Sequence, residues 1–332
     1  MPKLAHWPIL ALTLALAGCG GGGGGGGTPA PPAGTGGNTS NVTTIAPGAG
    51  PAGSTSAPTS GGGTSSGSTT ATGQPLSVSG LSGYPQGIAV SGSTLYVANT
   101  NGNSISSISL TDPNHTITPI PLSFGSTQPF TDPTGLAISP IDSKLYVASW
   151  NGYIDVIDLT VSPATVTELP TAYLDNPDGI ALSTDGSSLF VASHGYGKIF
   201  QISTANGTTI ATYTYPVSSA TYPWDVYADS NYVYATNLNG TVSKWPIASG
   251  TSSSPTTVGT FASPAGITGA NGYLYVADYQ AKTITKMNAA TGSTVGTPVN
   301  VNPYQPFFLA QDSTYLYFTD GNSGSVNAIP LP

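Results

Sequence analysis

The chain has 332 residues, of which only 6% are charged: 14 are acidic, six are Lys and none is Arg, giving a net charge of −8. Six scattered Lys make no basic patch able to neutralise phosphates, so nucleic acid is excluded as a partner. An anionic lipid surface is disfavoured as an electrostatic partner for the same reason.

Residues 1–18 hold one Lys, then the apolar run WPILALTLALA from Trp7 to Ala17, then a small residue. The run is too short to span a bilayer and has the layout of a secretory signal. It ends in LAGC at 16–19, which resembles the bacterial lipoprotein signal. The resemblance implies cleavage before Cys19 and a lipid on the Cys19 thiol. With Gly20 rather than Asp following, it also implies an outer-membrane lipoprotein of the cell envelope, facing either the periplasm or the exterior. An ordinary signal that happens to hold a Cys is the alternative. Cys19 is the only Cys, so an internal disulfide is excluded.

Residues 20–27 are eight consecutive Gly, and Thr, Ser, Pro, Gly and Ala dominate as far as residue 74. That composition buries too little apolar surface to fold. Residues 19–74 are therefore expected to be a disordered tether reaching on the order of 40 Å. The Gly run lacks the Lys-Ser/Thr and the strand–helix context of a phosphate loop.

Residues 75–332 repeat themselves. Six short apolar words recur: LYVAN (95–99), LYVAS (145–149), LFVAS (189–193), VYATN (233–237), LYVAD (274–278) and LYFTD (316–320). Each follows a Pro signature, centred on Pro85, Pro133, Pro177, Pro223, Pro264 and Pro306, at spacings of 48, 44, 46, 41 and 42. A period in the forties, built of short β-type runs split by turn residues, marks propeller blades. The fold class is therefore all-β, a six-bladed β-propeller, with no long helix because no 3.6-residue apolar period is sustained.

Blade 3 shows the unit. Strand a is read at Gly179–Leu182, a turn at 184–187, strand b at Leu189–Ala192, strand c at Lys198–Ile202, and strand d at Thr209–Tyr213. The last unit has strands a, b and c (Ser325–Leu331) but no d. PLSVS at 75–79 has no blade of its own, so it is expected to supply that strand, close the ring and protect its edge. The polar residue ending each word (Asn99, Ser149, Ser193, Asn237, Asp278, Asp320) is expected to bond nearby backbone in an Asx- or Ser-type turn. A ring of oxygen ligands is the other reading of those six.

The pattern P-x-G-I-A-V, turn, L-Y-V-A-D/N, Gly/Asn-rich loop and alternating strand resembles the NHL repeat over residues 75–332. That family forms six-bladed propellers and neighbours the gluconolactonase-like and YVTN propellers. Its repeats usually carry a basic residue at the start of strand c. Here those positions are Ser104, Tyr153, Lys198, Thr241, Lys282 and Ser325, so the RNA-binding role of some members is not carried over.

Positions that vary between blades are where function can be written. The d–a and b–c loops open on one face and line a channel mouth. The x of P-x-G runs Gln86, Thr134, Asp178, Trp224, Ala265, Phe307, and blades 4 and 6 replace the Gly by Asp225 and Phe308. The residue after each word runs Thr100, Trp150, His194, Leu238, Tyr279, Gly321. A ligand site is expected at Gln86, Trp150, Asp178, His194, Trp224, Asp225, Tyr279 and Phe307. Such rings with a few polar groups suit a flat or sugar-like ligand, or they plug the channel.

The role expected is a binding module for a small molecule, a glycan or an envelope protein, acting as a monomer without a cofactor. The alternative is a hydrolase or lyase centred on Asp178 and His194, with Ca²⁺ or Mg²⁺ possible. Resemblance to the calcium-dependent gluconolactonase-like enzymes implies oxygen ligands at two x positions. Here only Asp178 fits, Thr134, Ala265 and Phe307 do not, and Glu168 belongs to an outer strand. A zinc site like that of the amidating-lyase propeller needs several His. Beyond the signal there are two, and His115 is expected on the opposite face from His194.

Overall fold

The computed structural model describes residues 76–81, 83–125, 129–216, 221–248 and 254–332. The expected signal at 1–18, Cys19 and the tether at 19–74 lie outside them. Among the described residues, six sheets follow one another along the chain. Blade 1 comprises Pro85–Ser91, Thr94–Asn99, Ser104–Ser109 and Ile117–Pro119; blade 2, Pro133–Ile138, Lys144–Ser149, Tyr153–Asp158 and Ala164–Glu168. Blade 3 comprises Pro177–Leu182, Ser188–Ser193, Lys198–Ser203 and Thr209–Thr214; blade 4, Pro223–Ala228, Tyr232–Asn237, Thr241–Pro246 and Thr256–Thr260. Blade 5 comprises Pro264–Ala270, Tyr273–Asp278, Thr283–Asn288 and Val299–Asn300; blade 6, Leu309–Gln311, Tyr315–Asp320 and Ser325–Pro330.

The middle of strand b is mostly apolar because a neighbouring blade covers each of its faces. All six residues of Ser188–Ser193 are buried. Side chains of adjacent blades interleave between the sheets. Ala98 and Ile105 of blade 1, for example, meet Leu145, Val147 and Ile157 of blade 2. Strand c is covered only in part: in Lys198–Ser203, Ile199 and Ile202 are buried and the other four are half-buried.

The ring closes as expected. Ser77–Ser79 pairs antiparallel with Ser325–Pro330, Ser77 opposite Asn327 and Val78 opposite Val326. The Ser77 hydroxyl donates to Asn327 Oδ1 (2.8 Å), and Ala328 N donates to Leu76 O (2.8 Å). One join was not foreseen. After the short strand d of blade 1, Leu122–Ser123 crosses to blade 2 and pairs parallel with Ala164–Glu168, giving that blade five strands.

Five of the six Pro signatures make the same local structure. The a–b register slips just after the Pro, between Pro85 and Ile88 in blade 1 and at the matching places in blades 2 to 5. This bulge takes the x residue out of the ladder. The Gly that follows is required by close approach at the axis. A Cβ on Gly87 would stand 2.0 Å from Thr134 O of the next blade, and one on Gly135 would stand 2.3 Å from Asp178 O. Hydroxyls lock the same contacts: Thr100 Oγ1 donates to Pro133 O (2.8 Å), Thr134 Oγ1 to Pro177 O (2.9 Å), and Thr319 Oγ1 to Gln86 O (2.8 Å).

The polar residues ending strand b divide into two kinds. Ser193 donates to Asp175 O (2.8 Å); Asp278 accepts from the N–H groups of Ala262, Ser263 and Ala281; Asp320 accepts from Asn322 N (3.0 Å). These three bond backbone, as expected. The expectation is corrected for Asn99 and Ser149, which reach across to strand c, while Asn237 does both, donating to Ala235 O (3.4 Å) as well. Asn99 Nδ2 donates to Ser106 Oγ (3.0 Å), Ser149 Oγ to Asp155 Oδ2 (2.9 Å), and Asn237 Nδ2 to Ser243 Oγ (3.0 Å). All six are at most 3% exposed, and a buried polar group takes whichever partner lies within reach. In these three blades that partner is a polar side chain on strand c.

Candidate functional site

In blades 1 to 5 the first residue of the b–c loop is held by the same backbone bond. Trp150 N donates to Asp132 O (3.2 Å), His194 N to Asn176 O (3.0 Å) and Tyr279 N to Ser263 O (2.9 Å), the acceptor in each case being the residue before the Pro. Variable side chains thus stand at equivalent places beside the bulged x residues.

The rings meet over the channel. Phe307 packs edge-on against Trp224 (5.6 Å between centroids), Tyr279 (5.9 Å), Tyr84 (6.2 Å) and Phe308 (5.3 Å). Phe307 and Tyr279 are each 6% exposed, so the centre of this mouth is plugged. To one side, over blades 2 to 4, the rings stay partly open. His194 stands T-shaped to Trp224 (5.4 Å), stacks on Tyr222 (5.3 Å, 25°) and lies 6.3 Å from Trp150. The Trp150 indole N–H donates to the Asn176 amide oxygen (2.9 Å), and the Asn176 amide donates to Asp175 Oδ1 (3.0 Å).

Asp178 lies beside this recess, 2% exposed, with its Oδ2 3.7 Å from His194 Nδ1. Neither atom has a hydrogen-bond partner. The other ring nitrogen of His194 bonds Pro223 O, which leaves Nδ1 a bare lone pair in the neutral ring. Burial, with the Asp225 charge adding to it, holds the Asp178 carboxyl well above the usual range. Burial also pushes His194 down. Desolvation disfavours the charged form of both groups and so works against an ion pair at this separation. Trp224 Nε1 and Gln86 Oε1 are likewise buried without partners.

Trp150, Asp178, His194, Trp224, Tyr279 and Phe307 are therefore brought together. Gln86 keeps its place in the ring of x residues, its carbonyl accepting from Thr319. Asp225 departs from the expectation. Its Oδ1 accepts from Val226 N (2.8 Å) and its Oδ2 from Ile267 N of blade 5 (2.9 Å), and it lines a cavity deeper in the channel. It stands where other blades carry Gly, one residue past x, and so points below the mouth. Tyr222 is the rim residue that sequence reasoning missed. The signal was available, since the residue before the Pro varies between blades as x does. His115 sits in a c–d loop against Ser109 O (3.1 Å), and Glu168 is exposed in an outer strand, both as expected.

No family model and no curated protein matches the chain. Among solved structures, a catalytically inactive virginiamycin B lyase from Staphylococcus aureus with quinupristin is 19% identical, with a TM-score of 0.56 over 78% of this chain and 87% of that one. A chain of a nidogen/laminin complex is 16% identical, with a TM-score of 0.56 over 68% and 84%. A streptogramin B lyase is 14% identical, with a TM-score of 0.55 over 77% and 97%. At such identities the likeness is one of fold, and the fold is the six-bladed β-propeller.

Proposed function

We propose that this chain is an NHL-like binding module of the bacterial cell envelope, anchored through a lipid on Cys19 and taking a small flat or sugar-like molecule on the face of the d–a and b–c loops. The observation that carries the reading is the set of buried, unpartnered polar atoms there: Asp178 Oδ2, His194 Nδ1, Trp224 Nε1 and Gln86 Oε1. Such atoms cost about 1–3 kcal/mol each when left unsatisfied. Partly open rings beside them supply the apolar contact a planar ligand needs. The solved neighbours include a lyase with quinupristin and a chain of a nidogen/laminin complex, so this fold accommodates both kinds of partner. The LAGC sequence at 16–19 supports the anchor.

A hydrolase or lyase reading rests on the Asp178–His194 pair, an acid and a base held within one small movement of proton exchange. The donor set does not fit a divalent ion: among the described residues no three His, Cys, Asp or Glu side chains gather.

Two of the four Trp, Trp150 and Trp224, are at this face and a third, Trp245, is wholly buried. Tryptophan emission therefore reports on binding. Titration with peptidoglycan-derived oligosaccharides is expected to give a saturable change, weakened about tenfold or more in Trp150→Ala and His194→Gln. Unaltered binding in both folded variants overturns the reading, and turnover of the oligosaccharide by the wild type favours the enzyme.

A further inference from the structure

The other half of the channel holds a cavity of about 330 Å³, at the small end for small-molecule sites. Strand a of every blade contributes an apolar wall residue: Ile88, Leu136, Ile180, Val226, Ile267 and Leu309. Pro140, Ser183 and Thr184, from the a–b turns, and Gln311, at the end of strand a of blade 6, line it as well, so it faces the end of the ring away from the aromatic mouth. No Lys, Arg or His lines it.

Besides the hydroxyls of Ser183, Thr184, Tyr227 and Thr268, two polar side chains line it. Asp225 lies at the inner end, 4% exposed. Each of its oxygens accepts one backbone N–H, which leaves each a further lone pair. Gln311, near the turns, keeps a buried Oε1 with no partner. Both groups accept hydrogen bonds, and apart from the Gln311 amide the side-chain donors of the lining are hydroxyls.

We propose that this cavity is a second binding site, for a small organic ammonium ion whose apolar body lies along the strand-a walls, whose cationic head meets Asp225 and whose far end donates to Gln311. A lone acid among apolar walls is stabilised in its ionised form by a cation in contact, and that attraction is strong where water is excluded. Without such a cation, burial pushes the Asp225 carboxyl up to about 8, and Asp178, in the adjoining blade 3, is the other carboxyl that feels its charge. Tyr227 is the other titratable group of the lining. An anion meets only acids here, and a divalent metal finds one carboxylate where it needs several. The chain's net charge of −8 draws cations toward it.

The test uses tyramine and tyrosol, which share a phenol and an ethyl chain and differ in carrying an ammonium or a hydroxyl. Calorimetry at pH 7 is expected to show tyramine binding about tenfold more tightly than tyrosol. Asp225→Asn is expected to erase that preference, Gln311→Leu to weaken both ligands, and Ala181→Phe, which fills the wall, to exclude both. If Asp225→Asn fails to fold, the tyramine–tyrosol ratio in the wild type and the loss in Ala181→Phe decide. Saturable binding of neither ligand, equal affinity for the two, or unchanged binding in Ala181→Phe overturns the proposal.

Discussion

Asp225 makes the stability of the ring depend on pH in an unusual sense. Burial, opposed by its bonds from Ile267 N and Val226 N, raises its carboxyl from 3.8 to about 8. The folded state therefore binds more protons than the unfolded chain between those values, and stability falls as pH rises through them. Each tenfold step in proton affinity is worth about 1.4 kcal/mol, so the full effect has an upper bound of roughly 6 kcal/mol. Below pH 6.5 other groups overlap. Asp155, raised to about 6, acts in the same sense; His194, pushed down by burial, acts in the opposite one. The window from pH 6.5 to 8 isolates Asp225 together with Asp178, which Asp225 itself helps to raise. Urea unfolding of the wild type is expected to lose about 2 kcal/mol across that window. Asp225→Asn presents an amide N–H₂ to one of the two backbone donors, costing about 1–3 kcal/mol at every pH, but its stability is expected to fall clearly less than that of the wild type from pH 6.5 to 8, Asp178 keeping the share that its own burial gives it. A variant as steeply pH-dependent as the wild type would refute the argument.

Three other outcomes are expected. Gly135→Ala sets a Cβ 2.3 Å from Asp178 O and 2.9 Å from Ile180 N, both backbone atoms; a loss of roughly 2–3 kcal/mol is expected from overpacking, and a loss under about 0.5 kcal/mol counts against the close approach at the axis. Beginning the chain at residue 82 uncovers the sites of Leu76, Val78 and Leu81; at about 1.5–3 kcal/mol per buried side chain, roughly 5 kcal/mol is at stake, and an unchanged melting temperature argues against closure by that strand. Cys19→Ser, expressed in a bacterial host fed labelled palmitate, is expected to abolish labelling that the wild type shows; equal labelling removes the anchor from the proposal.

Blade number was legible because blade identity is local: each LYVAN-like word and each Pro signature meets the same needs within one sheet. The closing strand was legible for a similar reason, since PLSVS had no unit of its own and Ser325–Pro330 had no outer partner. What escaped depends on contacts between units. Leu122–Ser123 pairs with the neighbouring blade, and two residues carry too little pattern to announce a partner. Asn99 and Asn237 could satisfy their amides along the chain or across it, and only the opposing Ser106 and Ser243 decide. Asp225 showed in the sequence as a lost Gly, but its direction, down the channel rather than outward, follows from the one-residue offset between x and the residue after it.

Ser77 and Asn327 are bonded across 250 residues of sequence. Closing so long a loop costs entropy that no local contact offsets. The first and last blades also meet where Thr319 Oγ1 donates to Gln86 O, but the blade 6 sheet is complete only once Ser325–Pro330 has been made and paired. A nascent chain arrested anywhere before residue 325 presents two unpaired sheet edges, the kind of surface that quality-control proteases and chaperones recognise.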